Sequence, residues 1–252
     1  MKHPPIEHLF IITGSTRGIG KALVTSALNI QGGAVVSFSR AESFMQDNYQ
    51  NIRIDLRHFD QIGPAFQRVR IERQRIVGLT QTVLINNAGV IEPIAPIGEC
   101  DDNLLADNIR VNLIAPLILT RHFYHFGKSL PGRKWIVNIT SGAGQAPYYG
   151  WSAYGASKAG IDMATRAIAM EFSRIDPSFG ACAVAPGVVE TGMQEKIRSC
   201  SVERFEQVNK FLRLKESEAL DSPEHAASEL IRLITEGRFE NGGRYDLRGI
   251  KG

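Results

Sequence analysis

Thr13-Gly14-Ser15-Thr16-Arg17-Gly18-Ile19-Gly20 joins an apolar run over residues 8–13 to an amphipathic run that begins at Gly18. Apolar residues without alternation predict a buried strand, and the 3.6-residue period after it predicts a helix. Gly14 permits a tight turn, Gly18 lets a backbone approach a pyrophosphate, and Gly20 lets helix and strand pack closely. Phosphates would then sit on the helix N-terminus, where free amides and the helix dipole favour anions. Ser15, Thr16, Arg17 and Ile19 complete the loop and count with its glycines as cofactor contacts. The spacing is G-x-x-x-G-x-G rather than the commoner G-x-G-x-x-G. An ordinary strand–helix turn is the alternative, and the position after the first strand of an alternating chain argues against it.

Outward from this loop, buried-strand runs recur at 34–39, 52–55, 82–86, 134–140, 180–185 and 244–247. Helical patterns fall between them at 18–31, 60–74, 103–127, 152–175 and 223–235. Strand alternating with helix predicts crossover connections. The expected fold is α/β, a single-domain Rossmann fold with a doubly wound, seven-stranded parallel sheet and helices on both faces. A nucleotide-binding half spans about 8–115 and a catalytic and substrate half about 116–247. Residues 191–219 break the rhythm and read either as a mobile flap over a site or as a surface helix pair.

Composition excludes several classes. The 252 residues suit one large α/β domain, and a formal charge of +3 from scattered basic residues gives no nucleic-acid stripe or membrane patch. Cys100, Cys182 and Cys200 are odd in number and lack metal-ligand spacing, which points to a reduced setting and no metal. The first residues hold no apolar run of signal-peptide length, and no stretch approaches a membrane span. A cytoplasmic protein is expected.

The second strand ends in Ser37-Phe38-Ser39-Arg40. An acid at its end would accept ribose hydroxyls and repel a 2′-phosphate, but Ser39 stands there, followed by Arg40. Arg17 could reach the same phosphate, and two guanidiniums with no nearby carboxylate suit bidentate phosphate recognition. NADPH is expected over NADH; two solvated surface arginines are the plain alternative.

Tyr154 and Lys158 lie four residues apart in a predicted helix, hence on one face. An ammonium there favours the phenolate and is expected to pull the tyrosine down from about 10 toward working pH. Most such pairs are surface helix, so the reading rests on their company. Ser141 ends a strand thirteen residues earlier, where a serine is otherwise a turn residue.

With TGSTRGIG at 13–20, Asp55-Leu56, Asn86-Asn87-Ala88-Gly89, Asn112, Ser141, Tyr154, Lys158, Pro186-Gly187 and Thr191 in order, the chain resembles the short-chain dehydrogenase/reductase family from Leu9 to about Leu247. The resemblance implies that Asp55 and Leu56 flank an adenine, and that Asn87, Ala88 and Gly89 pack beside the cofactor. Pro186, Gly187, Val189, Thr191 and Met193 would line the nicotinamide, and Lys158 would also hold its ribose. Asn112 would hold a water joining the lysine to solvent, unless it is a structural helix residue. The implied chemistry is hydride transfer from NADPH to a carbonyl carbon, with Tyr154 as proton donor and Ser141 steadying the oxygen.

Within that family the tail is similar to sepiapterin and benzil reductases, through 185–194, Ile197-Arg198, 222–224 and 241–246. That implies a compact ketone or vicinal dicarbonyl as the small-molecule substrate. Gly142, Tyr148 and Trp151 would border it, with Met193 and Phe211 adding apolar lining. The loop's aromatics either stack on a flat substrate or pack against the flap or a neighbouring subunit. Asp246 either grips the substrate or bonds strand-end amides. An alcohol dehydrogenase working oxidatively and a nucleotide sensor without turnover remain as alternatives. A homodimer or homotetramer through the helices at 103–127 and 152–175 is the family's common assembly, although the apolar face of the latter serves a core equally well.

Overall fold

The computed structural model describes residues 5–249. Eight strands form one sheet: β1 (His8–Thr13), β2 (Gly33–Ser39), β3 (Phe44–Gln46), β4 (Tyr49–Arg53), β5 (Gln81–Asn86), β6 (Arg133–Ile139), β7 (Phe179–Ala185) and β8 (Arg244–Asp246). Their order is β3-β4-β2-β1-β5-β6-β7-β8, all parallel except that β3 runs antiparallel to β4. The helices are α1 (Gly18–Asn29), α2 (Ile62–Gln67), α3 (Asp102–Ile109), α4 (Ala115–Gly127), α5 (Ser152–Ile175), α6 (Gly192–Arg198), α7 (Val208–Glu216) and α8 (Pro223–Thr235).

The two faces of the sheet explain why its strands carry no polar alternation. Leu9 and Ile11 of β1 join Leu119 and Phe123 of α4 and Phe172 of α5 in one core. Phe10 and Ile12 point the other way, against Leu23 of α1 and Leu230 of α8. Successive side chains alternate faces, and both faces are covered, so apolar residues predominate on both. The chain leaves β1 toward β2 on one side and reaches β5 on the other, which opens a crevice at the carboxyl ends of the strands.

The expected all-parallel, seven-stranded sheet needs one correction. β3 adds an antiparallel edge, turned from β4 at Asp47, whose φ is +44°. All three of its residues are exposed, so it leaves no burial pattern to read. The helix expected over 60–74 is also shorter, a 3₁₀ turn at Phe59–Gln61 and then α2. Beyond it the Gln50 side chain donates to the Arg68 carbonyl (3.0 Å) and accepts from the Arg70 amide (3.0 Å), holding the backbone out of helix. The helical path at 102–127 is continuous but contains a π-helical turn at Arg110–Ile114. Asp101 caps its start, accepting from Asn103 and Leu104 amides.

Candidate active site

At the nucleotide end, Gly14 and Gly18 adopt φ of +71° and +52°, backbone conformations that favour glycine. The Thr13 hydroxyl accepts from the Asn87 and Ala88 amides, both at 3.0 Å, and the Asn87 side chain donates to the Thr13 carbonyl at 2.9 Å. The segment after β5 is thereby fastened under the loop. A Cβ on Gly14 would lie 2.9 Å from Ala88 Cα, and one on Gly20 would lie 2.0 Å from the Gly14 carbonyl oxygen. Arg17 precedes α1 with no side-chain cap, and the first turn holds no acidic residue. Its amides thus stay available for an anion, so the cradle fits a dinucleotide pyrophosphate. Gly20→Ala should therefore force α1 away from β1. We expect a loss of about 1–3 kcal/mol in denaturant unfolding, the usual scale of overpacking, with weakened dinucleotide binding by titration; unchanged stability would contradict the close approach.

These loops border a cleft of about 850 Å³. It is lined by Gly14, Thr16, Arg17, Gly18, Ile19, Gly20, Arg40, Asp55, Leu56, Asn87, Ala88 and Gly89 at one end. Toward the other end stand Ser141, Gly142, Tyr148, Trp151, Tyr154, Lys158, Pro186, Gly187, Val189, Thr191, Met193 and Phe211. Three expected contacts lie off its wall. Ser15 is buried with its hydroxyl unpartnered, and Asn112 and Asp246 do not border the cleft.

The end of β2 carries no carboxylate. Ser37 and Ser39 hydroxyls both donate to Asn51 Oδ1, at 2.7 and 2.8 Å. Arg17 and Arg40 are exposed and enter no ion pair among the described residues. The expectation of no nearby carboxylate is corrected by Asp55, which lies within electrostatic reach of Arg40. Asp55 is mainly held by Arg57, Nη2 to Oδ2 at 2.6 Å, which keeps its carboxyl below the usual range. Arg57 also reaches Asp107 at 3.6 Å, so a third guanidinium borders this end of the cleft that sequence reading had not singled out.

At the other end, α5 carries Tyr154 and Lys158 one turn apart, both buried. The Tyr154 hydroxyl is hydrogen-bonded to Ser141, and Lys158 Nζ donates to the Ile139 carbonyl at 2.8 Å. The helix keeps its height above the sheet through buried amide contacts: Asn86 to Asn138 and Asn138 to Thr165, each 2.8 Å. Electrostatics differ from expectation. Burial pushes the Tyr154 phenol up, and the Ser141 hydrogen bond only partly opposes it. Burial also pushes Lys158 down to about 8, against the opposing charge of Asp162. Desolvation, not the neighbouring ammonium, dominates the tyrosine.

Asn112 sits in the π-helical turn, a distortion frequent at functional sites. Its amide accepts from the Val90 amide (2.9 Å) and donates to the Val90 carbonyl (2.8 Å) and Asn108 Oδ1 (2.9 Å). The side chain thus performs the structural task of fixing the segment after β5.

The 191–219 segment is a helix pair packed on the cleft. Phe205, Val208 and Phe211 join Ile91, Trp151 and Tyr154 in one core cluster. Trp151 stacks on Phe205, centroids 4.4 Å apart, so its ring packs against this segment more than it offers a free face. Arg198 pairs with Glu190 at 2.7 Å, Lys215 with the same carboxylate at 3.3 Å, and Lys196 with Glu92 across the cleft. Asp246 accepts from the Arg248 amide (3.1 Å) and guanidinium, so it is a strand-end aspartate, and Arg248 borders the cleft instead. Among the described residues no cluster of metal-ligating side chains occurs, and no helix is long and apolar enough to cross a membrane.

A doubly wound sheet with a dinucleotide cradle and a Ser/Tyr/Lys set, its tyrosine and lysine buried, defines a nicotinamide-dependent oxidoreductase. The chain belongs to the short-chain dehydrogenase family, whose model matches residues 8–201. It is 37% identical over 243 residues to the benzil reductase ((S)-benzoin forming) of Bacillus subtilis (strain 168), covering 95% of this chain and 98% of that protein. It is 29% identical over 255 residues to the sepiapterin reductase of Mus musculus, covering 94% and 95%. The crystal structure of the KRED1-Pglu enzyme superposes with a TM-score of 0.79 at 27% identity, covering 94% and 99%.

Proposed function

We propose that the protein is an NADPH-dependent carbonyl reductase acting on a ketone or vicinal dicarbonyl. The observation that carries this reading is the Tyr154 phenol, buried, bonded to Ser141 and kept protonated by its surroundings in a cleft continuous with the glycine loop. When bound, the nicotinamide supplies the hydride. Tyr154 gives its proton to the carbonyl oxygen, and the Ser141 hydroxyl donates a hydrogen bond to the same oxygen as charge develops. Lys158, charged below about 8, stabilises the phenolate left behind and holds the ribose. Asn112 keeps the Val90 segment in place beside them. Aromatic rings of Tyr148, Trp151 and Phe211 bound the far end of the cleft, which suits a compact, flat substrate. Similarity to benzil and sepiapterin reductases supports a dicarbonyl.

Reduction needs both Tyr154 and Lys158 protonated, so kcat/KM should hold level through neutral pH and fall above about 8 as Lys158 loses its proton. Arg17 and Arg40 take the 2′-phosphate in this reading. Replacing both by alanine should raise KM for NADPH about 10- to 100-fold, for roughly 1–3 kcal/mol of charge-assisted hydrogen bonding, while leaving NADH nearly unaffected. The apolar residues Leu104, Leu117, Met163 and Met170, exposed on α3, α4 and α5, support assembly into a homodimer or homotetramer.

The deciding experiment is consumption of NADPH, with NADH in parallel, on benzil, a small aliphatic diketone and sepiapterin. Rapid NADPH loss with one of them supports the reading and names the substrate class. Faster loss with NADH would reject the role of Arg17 and Arg40. Bound cofactor without turnover on any of the three would reject the dicarbonyl assignment.

A further inference from the structure

Asp162 follows Lys158 by one turn of α5, as Lys158 follows Tyr154, so the three lie along one helix face. Its side chain is 7% exposed. One carboxylate oxygen, Oδ2, accepts from both Gln145 Nε2 and Arg244 Nε, each at 2.9 Å. The other, Oδ1, is buried without a partner. Arg244, the first residue of β8, uses its Nη2 to donate to the Ser141 carbonyl at 3.1 Å. A carboxylate from the helix, a guanidinium from the last strand and both ends of the 141–145 loop therefore close a single ring of contacts.

Burying a carboxylate with half its acceptor capacity unused is costly, and an apolar residue would fill this helix position more cheaply. We propose that Asp162 and Arg244 are positioning residues that fix Ser141 against Tyr154 and hold a negative charge one turn from Lys158. This rests on the reductase reading only in taking Ser141, Tyr154 and Lys158 as the reacting set. The ring acts at two points. Arg244 ties down the Ser141 backbone, while Asp162 ties down Gln145 at the far end of the same short turn, Gly142–Gly144. The serine hydroxyl that meets Tyr154 is thereby held from both sides.

The electrostatic part has a definite sign. The charged and titratable groups on this face are Tyr154 and Asp162 of α5 and Arg244 of β8; Ser141, Gln145, Asn112 and the Ile139 carbonyl contribute neutral dipoles. Asp162 opposes the burial that lowers Lys158. Removing its charge leaves burial unopposed, so Lys158 gives up its proton at lower pH. Removing Arg244 leaves Asp162 uncompensated, so Lys158 holds its proton to higher pH. A pair that served packing alone would not move Lys158 in opposite directions.

The test uses Asp162→Asn, Arg244→Gln and Arg244→Lys in the full chain. Carbon-13 NMR of ε-labelled lysine follows Lys158 in the ligand-free protein, its resonance identified by loss in Lys158→Met. We expect the midpoint to fall in D162N and rise in R244Q. In benzil reduction with NADPH, both variants should lose about 10- to 100-fold in kcat, the scale of small misplacements at a reacting centre, with KM for NADPH within two-fold. R244K should recover part of the loss, because one ammonium cannot serve both Asp162 and the Ser141 carbonyl. Midpoints that stay put or shift the same way, or kcat near wild type in D162N and R244Q, would overturn the proposal. Should D162N fold poorly, R244Q and R244K carry both readouts, since that side chain is 28% exposed. Tyr154→Phe in parallel separates the failures: an active Y154F rejects the reductase reading itself, and the lysine titration still judges Asp162 and Arg244 without cofactor or substrate.

Discussion

Tyr154→Phe should fold and bind dinucleotide like the wild type yet lose roughly 10²–10⁴-fold or more in turnover on a carbonyl, the scale of a positioned general acid. The substitution removes one oxygen. The ring keeps its edge contact with Trp151, 5.5 Å between centroids, and its place in the cluster with Ile91, Phe205 and Phe211. Ser141 keeps its bond from the Ala143 amide at 3.2 Å, so the short turn after β6 persists. What disappears is the proton. Burial raises the phenol, so at neutral pH Tyr154 is in the form that reduction needs. Lys158, one turn further along α5, donates to the Ile139 carbonyl at 2.8 Å and stays where it is. Single-turnover oxidation of bound NADPH isolates the step from product release. A near-wild-type rate with unchanged cofactor affinity would remove Tyr154 from the role.

The parts of the molecule that periodicity reveals are those whose burial is uniform over many residues. β1 falls at His8–Thr13 and α5 at Ser152–Ile175, as expected from the sequence, because each is long enough for its pattern to repeat. Phe44–Gln46 is three residues, all exposed, and only its partner strand makes it a strand. The expected helix over 60–74 failed for a similar reason: Gln50, distant in sequence, captures the backbone of Arg68 and Arg70. At the site, the glycine loop and the Tyr154–Lys158 pair border one cleft, and both follow from helix and turn geometry alone. The balance of charges does not follow. Whether an ammonium or desolvation governs a phenol depends on depth below the surface, and depth is a property of the packed chain. Arg57 and Asp107, or Asp162 and Arg244, likewise become partners only once segments far apart in sequence are neighbours. One signal was available: Asp162 continues the four-residue interval from Tyr154 through Lys158 along the buried face of α5.

Lys158→Met should abolish reduction and, at neutral pH, make the ligand-free protein more stable. Lys158 is buried, and burial drives it from 10.5 in the unfolded chain to about 8 in the fold. Below pH 8 the fold must hold a charge that water would solvate better, and the drop corresponds to about 3 kcal/mol against folding. Its direction follows from proton counting. Between pH 8 and 10.5 the unfolded chain binds the proton and the native one does not, so wild-type stability rises through that window and the lysine's penalty fades. Methionine has similar length and no charge, so the mutant escapes the penalty at every pH. It forfeits the 2.8 Å bond to the Ile139 carbonyl, a loss of about 1–3 kcal/mol if that oxygen is left unpaired. The net gain at pH 7 is therefore smaller than the desolvation figure, but the pH dependence of the difference is independent of the lost bond. Urea unfolding of both proteins at pH 7 and pH 9.5 reads it directly: the mutant's advantage should shrink at the higher pH. A difference that stays constant would mean that Lys158 is solvated in the native cleft. A shrinking one would mean that the chain tolerates a destabilising buried ammonium at the position where a phenolate must be stabilised, a trade of stability for activity at a single side chain.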